Sequence, residues 1–591
     1  MYAKYASREK QAIEHVESES EEAEVFSTPT IWKMGRPKKL YHLQQEKAES
    51  RREASNNFAG LSQEDDPQTP SEAFQTPEAG EWKIAMRTEY DALIHNNTWE
   101  VIDRQNGQKL IESKWVLRTK YKADGSIEKR KARLVAKGFT QIPGVDFNET
   151  FAPVAIIGSI RLVMALAVEM GLEIHQLDFV IAYLNGHIEE EILMRIPSEF
   201  NKILGKEELQ NYNGNKVLSV KKALYGLKQS GRQWYKKLDE RLKQLELKPL
   251  TADPCIYIRK EEEKILILII YVDDIIVASN EGKWLQEVKK DLSKSFEMKD
   301  LGLLNFCLGI QFKQNMKNNE IAMSQRKYTQ QILNRFNMES CKTVSTPMYC
   351  SIKLLKEMCP ATEEERKEVE KLPYQNLIGS LMYLAVSTRP DIAHVVSVLS
   401  QFNTNYGKQH WIAAKRVLRY LKGTQYFGLV YRKTGKQLTG YVDADWGSNL
   451  DDRRSYTGYI FIFANAAISW ESRKQRTVAM SSTEAEYMSI SESTKEAIHL
   501  RRFVAEILGP QRKTTIFNDN QGAGLLSKNP VFHSRTKHID IRHHFVRESI
   551  ERGDIEIMYL STKEMPANFL TKGVPAIKIN NCLNNIGLIQ I

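Results

Sequence analysis

The sequence predicts an α+β protein of several domains, on three observations. Short β-branched runs repeatedly end in acidic residues, as from Ile265 to Asp274 and from Leu172 to Asp178. Two basic segments on either side of Asp124-Gly125-Ser126 alternate as the arms of a hairpin do. Trp82, Met86, Tyr90 and Leu93, and later the stretch from Ser481 to Leu508, follow helical spacing. With 591 residues and roughly 150 residues per domain, three or four domains are expected rather than a lone binding module.

Hydrophobic residues make up 42% and charged residues 27%, too apolar for a chain disordered throughout. The longest conspicuous apolar run, Ile265 to Val272, falls far short of the ~20 residues that span a bilayer. Met1 to Lys10 lead into no apolar stretch, so neither a membrane span nor a secretory signal is expected, and the protein is expected to stay inside the cell. Cys255, Cys307, Cys341, Cys350, Cys359 and Cys582 are too far apart for CxxC zinc pairing and read as free thiols. Residues 1–80 hold 10 basic and 15 acidic residues, a balance of −5 against +10 for the whole chain, so the remainder carries +15. A basic body suits a polyanionic partner through counterion release, and ordinary solubilising charge explains it equally well.

Residues 1–80 are rich in Glu, Ser, Gln and Thr and read as a mostly disordered acidic leader or linker. Within it, Gly35-Arg36-Pro37-Lys38-Lys39 has the composition of a minor-groove hook, a short match that also arises by chance. Folded structure is predicted to start near Trp82. Further on, Lys114, Arg118, Lys120, Lys122, Lys129, Arg130, Lys131, Arg133 and Lys137 alternate with apolar residues. Period-two geometry puts several of these cations on one face, open to phosphates.

Asp273 and Asp274 sit between two β-branched runs, where unpaired carboxylates are costly unless a cation offsets their desolvation. Asp178 ends another short strand 95 residues earlier. If the two strands pair, three carboxylates converge and suit two hard divalent cations with oxygen ligands; a turn Asp-Asp and an unrelated strand-end Asp is the competing reading. A second group comprises Asp443 and Asp445 at a strand end, Glu484 and Glu486 at a helix start, and Asp519 after another strand. Surface acids and helix N-terminal complementarity explain each of these as well. Glu484 and Glu486 are two residues apart, so they do not share a helical face. His533, His538, His543 and His544 are irregularly spaced among basic residues, which suits nucleic-acid contact better than zinc.

These motifs resemble, in order, those of copia-type (Ty1/copia) retrotransposon enzymes. Tyr271-Val272-Asp273-Asp274 is similar to the reverse transcriptase signature, and Gln176-Leu-Asp178 through Gly186 to the first-aspartate motif. Lys131 to Gly138 resembles the fingers segment, and Leu224-Tyr-Gly-Leu-Lys-Gln-Ser230 with Trp234-Tyr235 the template- and nucleotide-contacting loop. Tyr374 to Ile392, with Thr388-Arg-Pro-Asp391, resembles the region joining polymerase to nuclease. Asp443, Glu486 and Asp519 match the acidic residues of the fused ribonuclease H. The likeness covers roughly residues 82–575. It departs at Gly231, where Pro is usual, at the apolar Phe179-Val180-Ile181, and at Asn568, where the family reads Asp before Leu-Thr-Lys.

The resemblance implies a right-hand polymerase of fingers, palm and thumb (81–345), a thumb or connection region (346–435), an α/β ribonuclease H-like domain (436–575) and a C-terminal tail (576–591). It implies catalytic, metal-holding roles for Asp178, Asp273 and Asp274 and for Asp443, Glu486 and Asp519, with two Mg²⁺ per site and Mn²⁺ as a substitute. Lys131, Arg133, Tyr183, Gln229 and Tyr271 are implied in substrate binding: Lys131 or Arg133 at the triphosphate, and Tyr183 excluding a 2′-hydroxyl. The expected partners are an RNA template, a DNA primer, RNA/DNA hybrid, dNTPs and other Pol or capsid proteins of an element, with no membrane. The expected location is the cytoplasm, in virus-like particles, or the nucleus. The competing expectation is a decayed or host-adopted copy that binds nucleic acid without catalysis.

Overall fold

The computed structural model describes residues 66–121, 127–528 and 540–591. Contacts divide the chain into Met1–Asn56 and Asn57–Ile591, and the described residues all belong to the second unit. Gly35–Lys39, Lys122, the Asp124-Gly125-Ser126 turn, His533 and His538 lie outside the described residues, as does the side chain of His543.

The first layers form around residues 66–136. Segment 66–80, assigned above to the leader, contains a helix, Pro70–Ala73, and Asp66 accepts from the Thr119 backbone N–H at 3.1 Å. Helix Ala79–His95 buries Trp82, Met86, Tyr90 and Leu93, the i, i+4 pattern that its sequence displays. It packs on the hairpin of strands Ser113–Tyr121 and Ile127–Ala136, where Ala132, Leu134 and Ala136 alternate inward. The register pairs Arg118 with Lys131, Lys120 with Lys129 and Val116 with Arg133. Opposed residues share a face, so Lys114, Arg118, Lys120, Lys129, Lys131 and Arg133 all project to the side away from the buried alanines and Leu134. Arg130 falls on the other face, its guanidinium 5.1 Å from the Trp82 ring centroid, and Lys137 turns to Glu112 at 2.7 Å.

The central sheet runs in the order Met298–Leu303, Glu173–Phe179, Asp274–Ser279, Lys264–Tyr271, Ile256–Glu261, Lys248–Pro249 and is antiparallel throughout. Ile265 to Ile270 and Ile275 to Ala278 are buried, as a sheet covered on both faces demands. Helix Ile157–Met170 packs against strands Phe427–Arg432 and Ala466–Lys474 of the neighbouring sheets and is itself almost wholly buried; Gly171, in the left-handed region at φ 67°, ends it and turns the chain into strand Glu173–Phe179.

A second sheet takes Phe306–Cys307, Ile310–Asn315 and Glu320–Ser324 from the segment expected to end at 345, Phe427–Arg432 from the segment expected to span 346–435, and Leu588–Gln590 from the expected tail. It therefore crosses the boundaries drawn from sequence, and residues 576–591 fold as helix Ala576–Asn585 and that last strand. Helices Tyr374–Ser387, Ala393–Ser400 and Lys408–Gly423 pack as a separate apolar cluster.

The final domain is a five-stranded sheet ordered Ala466–Lys474, Tyr456–Phe463, Thr439–Ala444, Thr514–Asn518, Ile555–Tyr559. Its first three chain-order strands are antiparallel and the last two join in parallel. The 27-residue helix Ser482–Leu508 covers it. This mixed sheet with its long helix, together with the antiparallel central sheet, makes the chain α+β, as the sequence predicts.

Candidate active sites

The first site is built by strand pairing. Asp274 lies directly opposite Asp178 in the antiparallel register, and opposite Tyr271 across a two-residue turn formed by Val272 and Asp273. Val272 has φ 58°, a backbone region that a β-branched residue rarely adopts. Two bonds hold this turn: Phe179 N–H donates to Asp273 O at 3.0 Å and Trp234 Nε1–H to Val272 O at 2.7 Å. Burial, then the Asp273 charge, pushes the Asp274 carboxyl up to about 6, against a hydrogen bond from Gln176 Nε2 at 3.0 Å. The Asp178 carboxyl is also raised by burial and Asp273, and held down by Lys120 and Lys131.

Those lysines place the cationic face of the hairpin toward the aspartates. Burial, then Arg133 and Lys120, lowers the Lys131 ammonium to about 8. The Arg133 guanidinium stands 4.9 Å from the Tyr225 ring centroid, and Tyr225 meets Tyr183 edge to face at 4.9 Å. Tyr225 was not singled out from sequence, although it lies in the loop quoted there. The following Gly226 was its signal: at φ 91°, a Cβ there would sit 2.1 Å from Ala136 O, so only glycine lets the loop close on the hairpin, where Ala136 N–H donates to Tyr225 O at 2.7 Å.

Gln229 corrects an expectation. It is 0% exposed, its Oε1 accepts from Gln141 Nε2 at 3.0 Å, and its Nε2 donates to Asp146 O at 2.8 Å and Glu190 Oε2 at 3.2 Å. With both ends of the amide engaged inside the protein, it braces this loop instead of facing a nucleotide. Tyr271 is half-buried beside Tyr383 of the connection helix.

In the second site, Asp443 ends strand Thr439–Ala444, Glu486 lies on the first turns of the long helix and Asp519 follows strand Thr514–Asn518. One oxygen from each lies within 4.8 Å of the others, the one such trio among the described residues. Glu484 instead closes the helix N-terminus: its N–H donates to Ser481 Oγ at 3.1 Å and its carboxylate accepts from Met480 N–H at 2.7 Å. Burial, then Asp443 and Asp519, drives Glu486 well above the usual carboxylate range, while Asn518 Nδ2 donates to it at 2.9 Å. Asp443 is raised by burial and held down by Lys572, 3.2 Å away, and by Thr571, whose hydroxyl donates to it. Gly458, opposite Asp443, admits this segment, since a Cβ there would meet Leu570 Cβ at 2.7 Å. Thr571 and Lys572 are site residues that sequence reading passed over, though Lys572 closes the Leu-Thr-Lys run already quoted.

Asn568 is fully buried; its Nδ2 donates to Thr562 O at 2.9 Å and Met565 O at 2.8 Å, and its Oδ1 has no partner. Asp445 is buried too, raised to about 7 by burial, with Oδ2 unpartnered. Both sites offer oxygen donors crowded by like charge, the donor chemistry that hard divalent cations take. Asp443, Glu486 and Asp519 are drawn together within one ion's reach. Asp178, Asp273 and Asp274 are adjacent through the register and the turn without forming such a trio, and the Asp274 carboxylate accepts from Gln176.

Residues 96–350 match the family model described as reverse transcriptase (RNA-dependent DNA polymerase). The chain is 41% identical over 550 residues to the retrovirus-related Pol polyprotein from transposon TNT 1-94 of Nicotiana tabacum, covering 93% of this chain and 41% of that one. It thus spans about two fifths of that polyprotein. A Saccharomyces cerevisiae protein named for transposon Ty5-1 is 33% identical over 318 residues, 53% of this chain and 98% of that one. Among solved structures, the foamy viral protease-reverse transcriptase in complex with dsDNA is 14% identical at a TM-score of 0.21, covering 80% of each chain. On the family model and the sequence relatives, the chain belongs to the Pol family of copia-type retrotransposons and carries its reverse transcriptase region.

Proposed function

We propose that this chain is an RNA-directed DNA polymerase that copies element RNA into cDNA, with a fused ribonuclease H that degrades RNA in RNA/DNA hybrids. The observation that carries the reading is the register of Asp178 against Asp274, faced by a hairpin whose Lys120 and Lys131 act on the same carboxylate. Asp178, Asp273 and Asp274 would hold Mg²⁺, or Mn²⁺ in its place, as would Asp443, Glu486 and Asp519. When bound, a pair of such ions supplies an activated hydroxyl or water and neutralises charge developing on phosphate.

The chain's own residues do the rest. Lys131 and Arg133 take the triphosphate, with Arg133 oriented by the Tyr225 face. Tyr183, steadied edge-on by Tyr225, walls the sugar against a 2′-hydroxyl. The remaining hairpin cations track template or primer phosphates, and base pairing supplies the sequence information. In the nuclease, Lys572 neutralises part of the charge on Asp443. The polymerase is assigned to residues 81–345, the connection to 346–435 and the nuclease to 436–575, acting in virus-like particles or the nucleus.

Primer extension on poly(rA)/oligo(dT) with Mg²⁺ tests the reading. Wild type should extend; Asp273→Asn should not, yet should bind hybrid almost normally, because affinity comes chiefly from Lys and Arg contacts to phosphates. More than about a tenth of wild-type extension in a folded Asp273→Asn overturns the metal-site assignment.

A further inference from the structure

We propose that Arg161 is a positioning residue that fixes the spacing between the two candidate catalytic centres, so that a hybrid seated at Asp273 is cut a constant distance away. The inference rests on the polymerase and nuclease reading above and adds a residue and a geometry to it.

Arg161 lies on helix Ile157–Met170 and is 4% exposed. Among the described residues it forms no ion pair; its guanidinium bonds run to backbone carbonyls of two other domains. Nε donates to Ile468 O, on the nuclease strand Ala466–Lys474, at 2.7 Å. Nη1 donates to Val386 O at 2.7 Å and Ser387 O at 2.9 Å, at the end of the connection helix. The guanidinium stacks 3.9 Å from the ring centroid of Trp470 of the nuclease, and Trp470 Nε1–H donates to Ala385 O of the connection at 2.8 Å. Burial lowers the Arg161 pKa to about 10, which still leaves it charged at neutral pH.

A leucine would fill this space if only packing were needed. A rigid planar fork with donors aimed at three fixed carbonyls is satisfied by one mutual arrangement of palm, connection and nuclease, and any slip strands a buried charge. A second contact bridges the same two domains elsewhere: the Glu506 carboxylate, on the nuclease helix, accepts from Thr251 N–H at 2.6 Å and Ala252 N–H at 3.0 Å. Two separate attachments between palm and nuclease resist both hinge and twist.

The test uses the full chain and a hybrid with 5′-labelled RNA and a recessed DNA 3′ end. Wild type should give one dominant RNA cut at a constant distance from that end. Arg161→Met should spread cleavage over several positions while extension and cleavage of blunt hybrid persist. A folded Arg161→Met with the wild-type product distribution overturns the proposal. Should that variant fail to fold, Arg161→Lys replaces it, which keeps the buried charge but lacks the planar fork that reaches all three carbonyls, and an unchanged distribution again overturns the proposal. Scanning calorimetry separates the two readings. Arg161→Met should resolve a second transition absent from wild type. If wild type cuts no hybrid, the nuclease reading falls while the calorimetric result still decides the role of Arg161, coincident single transitions in both proteins counting against it.

Discussion

The indole Nε1–H of Trp234 donates to the carbonyl of Val272 at 2.7 Å, so a helix side chain holds the turn that carries Asp273. Val272 pays for its φ of 58° with strain of about 1–3 kcal/mol, and a turn under strain drifts unless something holds it. Trp234→Phe keeps the edge-to-face packing on Phe179 and Phe296 and removes only that bond. A bond worth about 0.5–1.5 kcal/mol, if fully expressed in the transition state, lowers the single-turnover extension rate up to about tenfold with dNTP affinity little changed. An unaltered rate would show that the turn holds its shape without the indole.

Tyr183→Val should raise ribonucleotide incorporation relative to deoxyribonucleotide, because removing the ring opens space at the sugar. Tyr225→Phe, which keeps the ring beside Tyr183, should leave selectivity nearly unchanged. Measured rNTP/dNTP ratios decide it; equal ratios in an active Tyr183→Val assign the ring to packing.

Lys131, lowered to about 8, loses its charge as pH rises through that value, and triphosphate attraction goes with it. The dNTP KM should therefore rise between about pH 7.5 and 9 in wild type and stay flatter in Lys131→Arg, whose guanidinium remains charged there. Parallel pH profiles would move the triphosphate contact away from Lys131.

Asn568→Asp should lower the Mg²⁺ concentration for half-maximal hybrid cleavage, since a fourth carboxylate strengthens the hold on a divalent ion. It should also cost about 1–3 kcal/mol without Mg²⁺, because a carboxylate cannot donate to the buried Thr562 and Met565 carbonyls. Mg²⁺ titrations of cleavage and of thermal stability check the two halves; no change in the first would place position 568 outside the ion's reach.

His394 is buried, and burial lowers it to about 3 from an ordinary 6.5. The unfolded chain takes up its proton as pH falls through 6.5 while the folded chain does not, so this contribution to stability is present above 6.5 and declines below it. By pH 5 the loss is about 2 kcal/mol. Denaturant melts at pH 7 and pH 5 should show that loss in wild type and a smaller one in His394→Gln; equal losses would locate the acid sensitivity elsewhere.

What the sequence made legible was local. The alternation from Lys114 to Val135 fixes a cationic face because two residues in a strand always return to the same side, and the aspartates at strand ends follow from the same period. Gln229 shows where that reasoning stops: its motif places it near the site, but whether an amide faces a ligand or the interior depends on Gln141, Asp146 and Glu190, 88, 83 and 39 residues away in the chain. Arg161 is the extreme case, bonded across 307 residues, with no local pattern to mark it among the apolar residues of its helix. Residues 66–80, read as part of a mostly disordered leader, hold the short helix Pro70–Ala73 for a related reason, since polar composition hides a short helix whose stability comes from what it docks on.

Strand Phe427–Arg432 finds one of its two neighbours only in Leu588–Gln590, with the whole five-stranded domain lying between them in the chain. During synthesis one edge of that sheet therefore stands open, with unpaired amides and carbonyls, until the ribosome has delivered the last strand. Pairing over such a separation is slow to form. The interval is when a nascent chain is most apt to stick to its neighbours. Substitutions in 588–590 should accordingly show first as lost yield of soluble protein, and only later, if at all, as lost chemistry.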